Sequence, residues 1–577
     1  MRGRGAFAAA VAALLLIPAT ATAAPPPGAA ISDNLDYVTR VAGAAGITEG
    51  KFDKVRGKKV LVVTGRFGFK TYDVSNPEAP QLLDEFLPAG IAPPNPNATP
   101  PSQRLGGYWQ DEDMEIDTRR KLIIGALDPR HDVAGPADGA CPHDDTLAVR
   151  DVDCKSGFFV ISYADPANMR QVGDFVSLPS GHTASCIQKC KYIWTGGPAR
   201  RSDQDWLNTT INPVMGQPIT LQNRLIGDGR PIWVTDLRDP ANPKVSDLPV
   251  DLYRNDQYTD YSHDVDEDAR GIAWVAGRGG IRGYATKGVH RDPYQNRWRR
   301  ATPFDPILVA GGGIQWDVPP ARGGDDGVAQ ATDFMHNSGR PTDGAVRAAG
   351  VKKNNVLIGT EEDFTRPCDQ SGRIVAVDLT DSWGGEPAQN STRTNPYRMK
   401  ALDSFHPALD TPEGDTDPGD DDPNTPTPAL GCSAHYFEIR ASALAAGWYG
   451  QGLRLLDISN ARDLRQVGYY RVTGTSADNP SSNSWDVAWY NDRASKGWKS
   501  KKGKRSRKSH KSGDYVYLMD MSRGIEVIRL KRGARSSAKM KSVVAPRLSS
   551  TRWASAPIAG SSVAAGGYVC PLFTTPA

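Results

Sequence analysis

Four histidines recur in this 577-residue chain just ahead of short apolar runs: His182 in GHTASC, His263 in YSHDVDED, His336 in FMHNSGRP and His435 in CSAHYFEI. His182 to Gly196 and His263 to Gly277 both span fourteen positions, so these two occupy one place in a repeat. His336 and His435 precede their runs at other spacings. Two further units carry acids in this place, Asp113 in DEDMEID and Asp486 in SWDVAW, and TEEDF adds Glu361 and Glu362. Imidazole nitrogens and carboxylate oxygens together suit Zn, Cu, Fe or Mn. If the fold gathers these positions at one point, they predict a transition-metal site. Two other readings stay open: each His hydrogen-bonds the backbone of the neighbouring repeat as a stitch, or the four line a metal-free ligand pocket.

The elements that would gather them are short β-type runs: VLVVTG (60–65), KLIIGA (121–126), KYIWTGG (191–197), GIAWVAG (271–277), NVLIGT (355–360), LAAGWYG (444–450) and YVYLMD (515–520). They are rich in β-branched and aromatic residues and end at Gly or Asp, which marks strands closed by turns. A partner strand follows each, such as FKTYDV, GFFVISY, PIWVTDL or GIEVIRL, and several units add a third segment such as QLLDEF or RQVGYY. No convincing amphipathic helix interrupts them. Seven units of three or four antiparallel strands predict an all-β, seven-bladed β-propeller, in which radial closure leaves no long exposed edge. A chain of β-sandwiches uses the same strand vocabulary, but the recurrence of one motif favours the propeller. After GIEVIRL (524–530) the chain is too basic for an obvious outer strand, whereas LDYVTRVAG (35–43) is an unpartnered strand candidate. The N-terminal strand is therefore expected to complete the last blade and close the ring.

TYDVSNPEAP (71–80) returns as LLDISNARDL (455–464), with weaker echoes in ISYADPANM (161–169) and VTDLRDPANP (234–243). An Asp at the strand end followed by Ser-Asn or Asp-Pro describes a turn whose side chains bond nearby backbone amides, with Pro fixing φ. Asp73 and Asp457 thus read as turn caps and not as catalytic acids. VLVVTGRFGFKTYDVSNPEAPQLLDEF and GWYGQGLRLLDISNARDLRQVGYY resemble the LVIVD repeat of bacterial and archaeal proteins. That resemblance is good in units one and six, fair in two and three and poor in four and five. It implies a β-propeller and carries little chemistry with it. The His series is also similar, at a distance and without a shared long motif, to the selenium-binding protein/methanethiol oxidase group of propellers with His-rich metal sites.

A net charge of +3 from 69 basic and 66 acidic residues gives no sign of specific nucleic-acid binding. Arg2 and Arg4, the apolar AFAAAVAALLLIPA and the small-residue ATA (21–23) read as a secretory signal over 1–23, too short to span a bilayer. Residues 24–34 read as a flexible tether, 35–530 as the propeller and 531–577 as a C-terminal extension. The seven Cys fit an oxidising compartment. The expected pairs are 141–154, 186–190 and 368–432, with Cys570 left over. No GxSxG, HExxH or Walker pattern is present. The acidic DTPEGDTDPGDDDPNTPTP (410–428) lacks EF-hand offsets and reads as a surface loop. The basic KGWKSKKGKRSRKSHKSG (496–513) reads as a solvated loop, or as a contact for an anionic cell-envelope polymer. Two functions follow from these residues. One is an exported binding or scaffold module holding a protein or small-molecule ligand on its loop-rich face. The other is a metal-dependent enzyme, an oxidoreductase in its simplest form, using the His cluster at the channel mouth.

Overall fold

In the computed structural model the described residues are the blade strands and their turns, between 23 and 531. The leader (1–22), the segments 92–111, 128–155, 252–261, 316–334, 363–371, 384–398, 408–432 and 491–513, most of 198–230, a few single positions and residues 532–577 lie outside them. So do the acidic and basic insertions and Cys141, Cys154, Cys368, Cys432 and Cys570.

Seven sheets follow one another along the chain, antiparallel except where the short edge strand Ile314–Gln315 runs parallel to Met399–Phe405 in blade 5. Blade 1 is a meander of Ile47–Val55, Lys58–Gly65, Gly68–Asp73 and Gln81–Phe86. The first strands of blades 2 to 7 are Glu115–Asp117, Thr183–Ile187, Asp264–Glu267, Met335–Gly339, Ala434–Arg440 and Ser484–Trp489. First strands of neighbouring blades pack on one another, so they stand around the axis of a ring. The runs that dominate the sequence, such as Leu122–Leu127 and Ala443–Trp448, are second strands, buried on both faces between blades. That double burial produces their continuous apolar character.

The ring is held by seven apolar clusters, one between each pair of neighbours. Between blades 1 and 2, Val60, Val62 and Phe69 meet Ile123, Phe159 and Ile161. Between blades 7 and 1, Tyr517, Met519 and Val527 meet Ile47, Leu61 and Val63, which closes the circle. Each blade therefore lends one face to each neighbour, and no blade owns a complete core.

The expected closure is present. Leu35–Val41 pairs antiparallel with Gly524–Leu530, running from Leu35 opposite Leu530 to Val41 opposite Ile525. Arg529 Nη2 donates to Asp36 at 2.9 Å, and Arg40 Nε donates to the Arg523 carbonyl at 2.7 Å. The reading of 24–34 as a tether is corrected here. Ala29–Ile31 pairs with Tyr470–Val472 and becomes the outermost strand of blade 6. The N-terminal segment thus stitches blade 6 as well as blade 7. The polar edge of Arg465–Val472 supplied free backbone groups that the Pro-rich lead-in gave no hint of.

The repeated Asp is architectural. Asp73 Oδ1 accepts from Ser75 N and Asp457 Oδ1 from Ser459 N, both at 2.9 Å; Asp236 and Asp378 receive Arg238 N and Thr380 N in the same way. Hydrogen bonds from Lys58 and Ser75 hold the Asp73 carboxyl down at about 2, as expected of a fixed cap and not of a proton donor. Cys186 and Cys190 form the expected disulfide, tying the first strand of blade 3 to the turn that leads into its second.

Removal of residues 29–41 takes away the outer strands of two blades and the buried Leu35 and Tyr37 side chains, of which each stabilises by about 2 kcal/mol. The expected outcome is a melting temperature lower by at least about 10 °C in a circular dichroism melt; an unshifted melt contradicts closure.

Candidate metal centre

The first strands place polar groups at the axis by two local devices. In blades 3 and 4, His182 and His263 sit directly ahead of the ladder, their amides donating to Gly196 and Ala276 carbonyls at 3.3 and 2.8 Å. In blades 5 and 6, His336 and His435 lie inside register shifts, between Met335 and Asn337 and between Ala434 and Phe437. A bulge turns a residue out of strict alternation and re-aims its side chain. Glycines make the approach possible. A Cβ on Gly197 (φ +97°) would stand 2.1 Å from His182 Cβ, and one on Gly447 would stand 2.9 Å from the Trp485 carbonyl.

The four imidazoles form a continuous row of tilted and edge-on contacts, with ring centroids 4.6 Å apart for His182–His263, 4.1 Å for His263–His336 and 4.0 Å for His336–His435. All four are fully buried. Two carboxylates close the group. Glu112 Oε2 lies 3.0, 3.2 and 3.4 Å from the Nε2 atoms of His182, His263 and His336. Glu362 reaches His336 Nε2 at 3.7 Å and His435 Nε2 at 3.8 Å. Three overlapping sets, Glu112 with His182 and His263, Glu112 with His336 and His435, and Glu362 with His263 and His336, have every donor atom within 4.8 Å of the others. Metal–ligand bonds of about 2.1 Å put adjacent donors roughly 3.0–3.4 Å apart in octahedral or tetrahedral geometry. The Glu112 contacts fall in that range.

The hydrogen bonds fix which nitrogens can act. His263 Nδ1 donates to the His336 carbonyl at 2.9 Å and His435 Nδ1 to the Trp485 carbonyl at 2.8 Å. Each neutral ring is left with its Nε2 lone pair facing inward. Burial lowers the His263 pKa, holds His435 down at about 4 and, together with the charge of its His neighbours, pushes His336 well below the usual imidazole range. Burial pushes the Glu112 carboxyl up, yet the charge and hydrogen bond of His182 lead the effects that hold it well below the ordinary carboxylate value. At neutral pH an ionised carboxylate therefore faces imidazole lone pairs in a dry site. His182 Nε2 sits 2.9 Å from His263 Nε2 and can supply one proton to this group. His435 Nε2 has no hydrogen-bond donor or acceptor in reach. Tyr449 steadies the second carboxylate, its hydroxyl donating to Glu362 Oε1 at 2.6 Å.

Of the residues singled out in the sequence, His182, His263, His336, His435 and Glu362 come together. Asp113, Asp486 and Glu361 do not, and each has a physical reason. Asp113 pairs in register with Thr183, which sets its predecessor Glu112 beside His182. A one-residue offset exchanges the faces, so Asp113 turns away to Lys51 Nζ at 3.1 Å and Ser185 Oγ at 3.2 Å. Glu361 is taken by the Arg373 fork at 2.8 and 3.1 Å. Asp486 accepts from Gly50 N at 3.1 Å, and Trp485, inside the blade 7 bulge, takes the axial place. Glu112 is the ligand-type residue that sequence reasoning missed. The signal was there in WQDEDMEID, but three acids within four positions left the register ambiguous.

The displaced acids form a second layer. Lys51 Nζ contacts Glu49, Asp113 and Glu115 at 3.0, 3.1 and 3.6 Å. Burial, then the charges of Glu115 and Asp113, push Asp266 up to about 7; burial alone leads the same rise in Glu438 and Asp486. Asp266 is exposed, at the end of the blade 4 first strand away from the histidines.

No family profile and no curated protein matches the chain. Among solved structures it is similar to the extracellular domain of a one-component system of B. thetaiotaomicron (10% identity, 86% of this chain and 40% of that one, TM-score 0.38). It is also similar to a periplasmic gluconolactonase of Pseudomonas aeruginosa (10% identity, 72% and 84%, TM-score 0.35) and to the RRP9 WD40 repeats (8% identity, 87% and 98%, TM-score 0.39). The chain thus spans well under half of the first of these. At such scores the likenesses add nothing to the site. The class of the protein, a seven-bladed β-propeller, follows from the strand pairing and the closed set of seven apolar seams.

Raised carboxyls in the channel have a sign. The folded chain holds a proton on Glu438 between about pH 4.5 and 7 where the unfolded chain has released it, so this group costs stability as pH rises through that window. Glu438→Gln is expected to be more stable than wild type by about 1 kcal/mol above pH 7, half-exposure having reduced the effect, with the advantage gone near pH 4.5. Urea unfolding across that range checks it.

Proposed function

We propose that the chain is an exported metal-binding propeller of LVIVD type, whose axis holds a first-row transition-metal ion between His182, His263, His336, His435, Glu112 and Glu362. One observation carries this reading: buried imidazole lone pairs, oriented by backbone carbonyls, point at carboxylate oxygens. His263 Nε2 and Glu112 Oε2 are 3.2 Å apart, and both are acceptors when the histidine is neutral. A cation between them removes the repulsion while His263 keeps the Nδ1 bond to the His336 carbonyl that orients its ring. A stitching role accounts for the Nδ1 bonds of His263 and His435, but not for four inward Nε2 atoms beside two acids. His336 has no hydrogen bond at Nδ1 at all.

The donor set is mixed imidazole and carboxylate without thiolate, which suits Zn, Cu, Fe or Mn. With a redox-active ion bound, the site would supply electron-transfer or oxidase-type chemistry; with zinc it would supply a Lewis acid. The chain's own residues orient the ligands, exclude bulk water and place Tyr449 and Tyr436 beside the centre. Export is supported by the N-terminal leader pattern and by the Cys186–Cys190 disulfide. Among the described residues no helix is long and apolar enough to cross a membrane.

Elemental analysis of purified protein, as isolated and after reconstitution, is expected to give about one metal per chain. His263→Ala and His336→Ala, and Glu112→Gln, should each weaken the metal at least a hundredfold, since even outer-shell losses cost about 10–100-fold, while Asp113→Asn leaves equilibrium affinity unchanged. Protein that stays metal-free after reconstitution, with the His variants altering only the melt, overturns the reading.

A further inference from the structure

Directly beneath the His/Glu cluster, the same first strands build an acidic pit that the centre itself does not use. Asp113, Glu115, Asp264, Asp266, Glu438 and Asp486 all lie within electrostatic reach of a single lysine, Lys51. Glu49 adds a further carboxylate at 3.0 Å from its ammonium. The exposure of successive residues gives the pit a direction. Along blade 4 it rises from His263, fully buried, through Asp264, 5% exposed, to the water-accessible Asp266. Along blade 2 Glu112 is fully buried, Asp113 nearly so, and the Glu115 side chain 23% exposed. Blade 6 repeats the order with His435, Tyr436 and the half-buried Glu438. Three blades thus agree that water meets the axis at the far end of the first strands. Three residues of strand, about 10 Å, separate that mouth from the cluster.

We propose that this acidic vestibule is the entry route by which a divalent cation reaches the His/Glu centre; the inference rests on the metal-binding reading above. Two observations besides the acidic charge point to a cation. The fold already seats one there, the Lys51 ammonium held by Glu49, Asp113 and Glu115 at 3.0–3.6 Å. At the inner end, Asp264 Oδ1 and the Tyr436 hydroxyl are buried more than nine-tenths and have no hydrogen-bond partner. Tyr436 packs its ring 4.6 Å from His336 and 4.9 Å from His435, and its hydroxyl feels the charges of Asp264, Glu112 and Asp113. An incoming ion therefore passes from solvated carboxylates at the mouth, past Lys51, to oxygens adjacent in sequence to the ligands. The acids do not form a tight chelate of their own: among the described residues the donor groups close enough to hold an ion all contain the histidines. The vestibule draws cations in without retaining them, and a low-dielectric cleft in which acids outnumber the one lysine raises their local concentration.

The test is the rate of Co²⁺ uptake by metal-stripped full-length protein at pH 8, where Asp266 and Glu438 are ionised, and low ionic strength, followed by the visible absorption of the ion on its nitrogen ligands. The double variant Asp266→Asn/Glu438→Gln should load about tenfold more slowly and reach the same final spectrum. Wild-type loading should slow steeply between 20 mM and 500 mM salt, and that dependence should flatten in the double variant. Asp266→Glu should restore the rate, which separates charge from damage to the fold. Unchanged loading in the double variant with a normal final spectrum overturns the entry route alone. A wild-type protein that develops no cobalt spectrum at saturation overturns the metal reading and the entry route with it.

Discussion

The rest of the structure depends on the sharing of apolar faces between neighbouring blades. A four-stranded sheet exposed on both faces cannot pay for its own ordering, and each blade here becomes stable only when both faces are covered. Seven such seams, the last between Tyr517, Met519 and Val527 and the opposing Ile47, Leu61 and Val63, force the sheets into a circle. That circle brings residues separated by more than 300 positions, Glu112 and His435, to one buried point. Closure is accordingly over-determined at the join, where the N-terminal segment pairs with blade 6 through Ala29–Ile31 and with blade 7 through Leu35–Val41.

With the outer strands devoted to packing, the first strands are released from it on one side. Their axial face can be polar because the channel supplies either water or partners. Chemistry then sorts by depth. The dry end holds imidazoles with two acids, while the wet end holds carboxylates around Lys51. One residue of register separates the two layers: Glu112 from Asp113, His263 from Asp264, His435 from Tyr436. Bulges at His336 and His435 perform in blades 5 and 6 what the strand start performs in blades 3 and 4.

This arrangement works against stability. Buried histidines held neutral and carboxyls held partly protonated both reflect charge that the fold does not solvate. A functional site commonly retains such tension while the surrounding scaffold over-determines the backbone. The caps at Asp73, Asp236, Asp378 and Asp457 and the seven seams are scaffold of that kind.

The sequence alone determined the number of blades, the role of the repeated Asp and the closing strand, and it singled out five of the six side chains that meet at the axis, the four histidines and Glu362 beside its decoy Glu361. Those features are local: apolar runs bounded by turn residues, and a side chain that bonds an amide two positions on. The innermost strands were not legible as strands, because EID, TASCI, DVDE and MHNSG face a polar channel and carry no apolar alternation. The choice of Glu112 over Asp113, the withdrawal of Glu361 to Arg373 and of Asp486 to Gly50, and the pairing of Ala29–Ile31 were decided only by tertiary structure. Each depends on register between strands or on a partner far along the chain, and a period of two residues makes such register invisible until the neighbouring strand is in place.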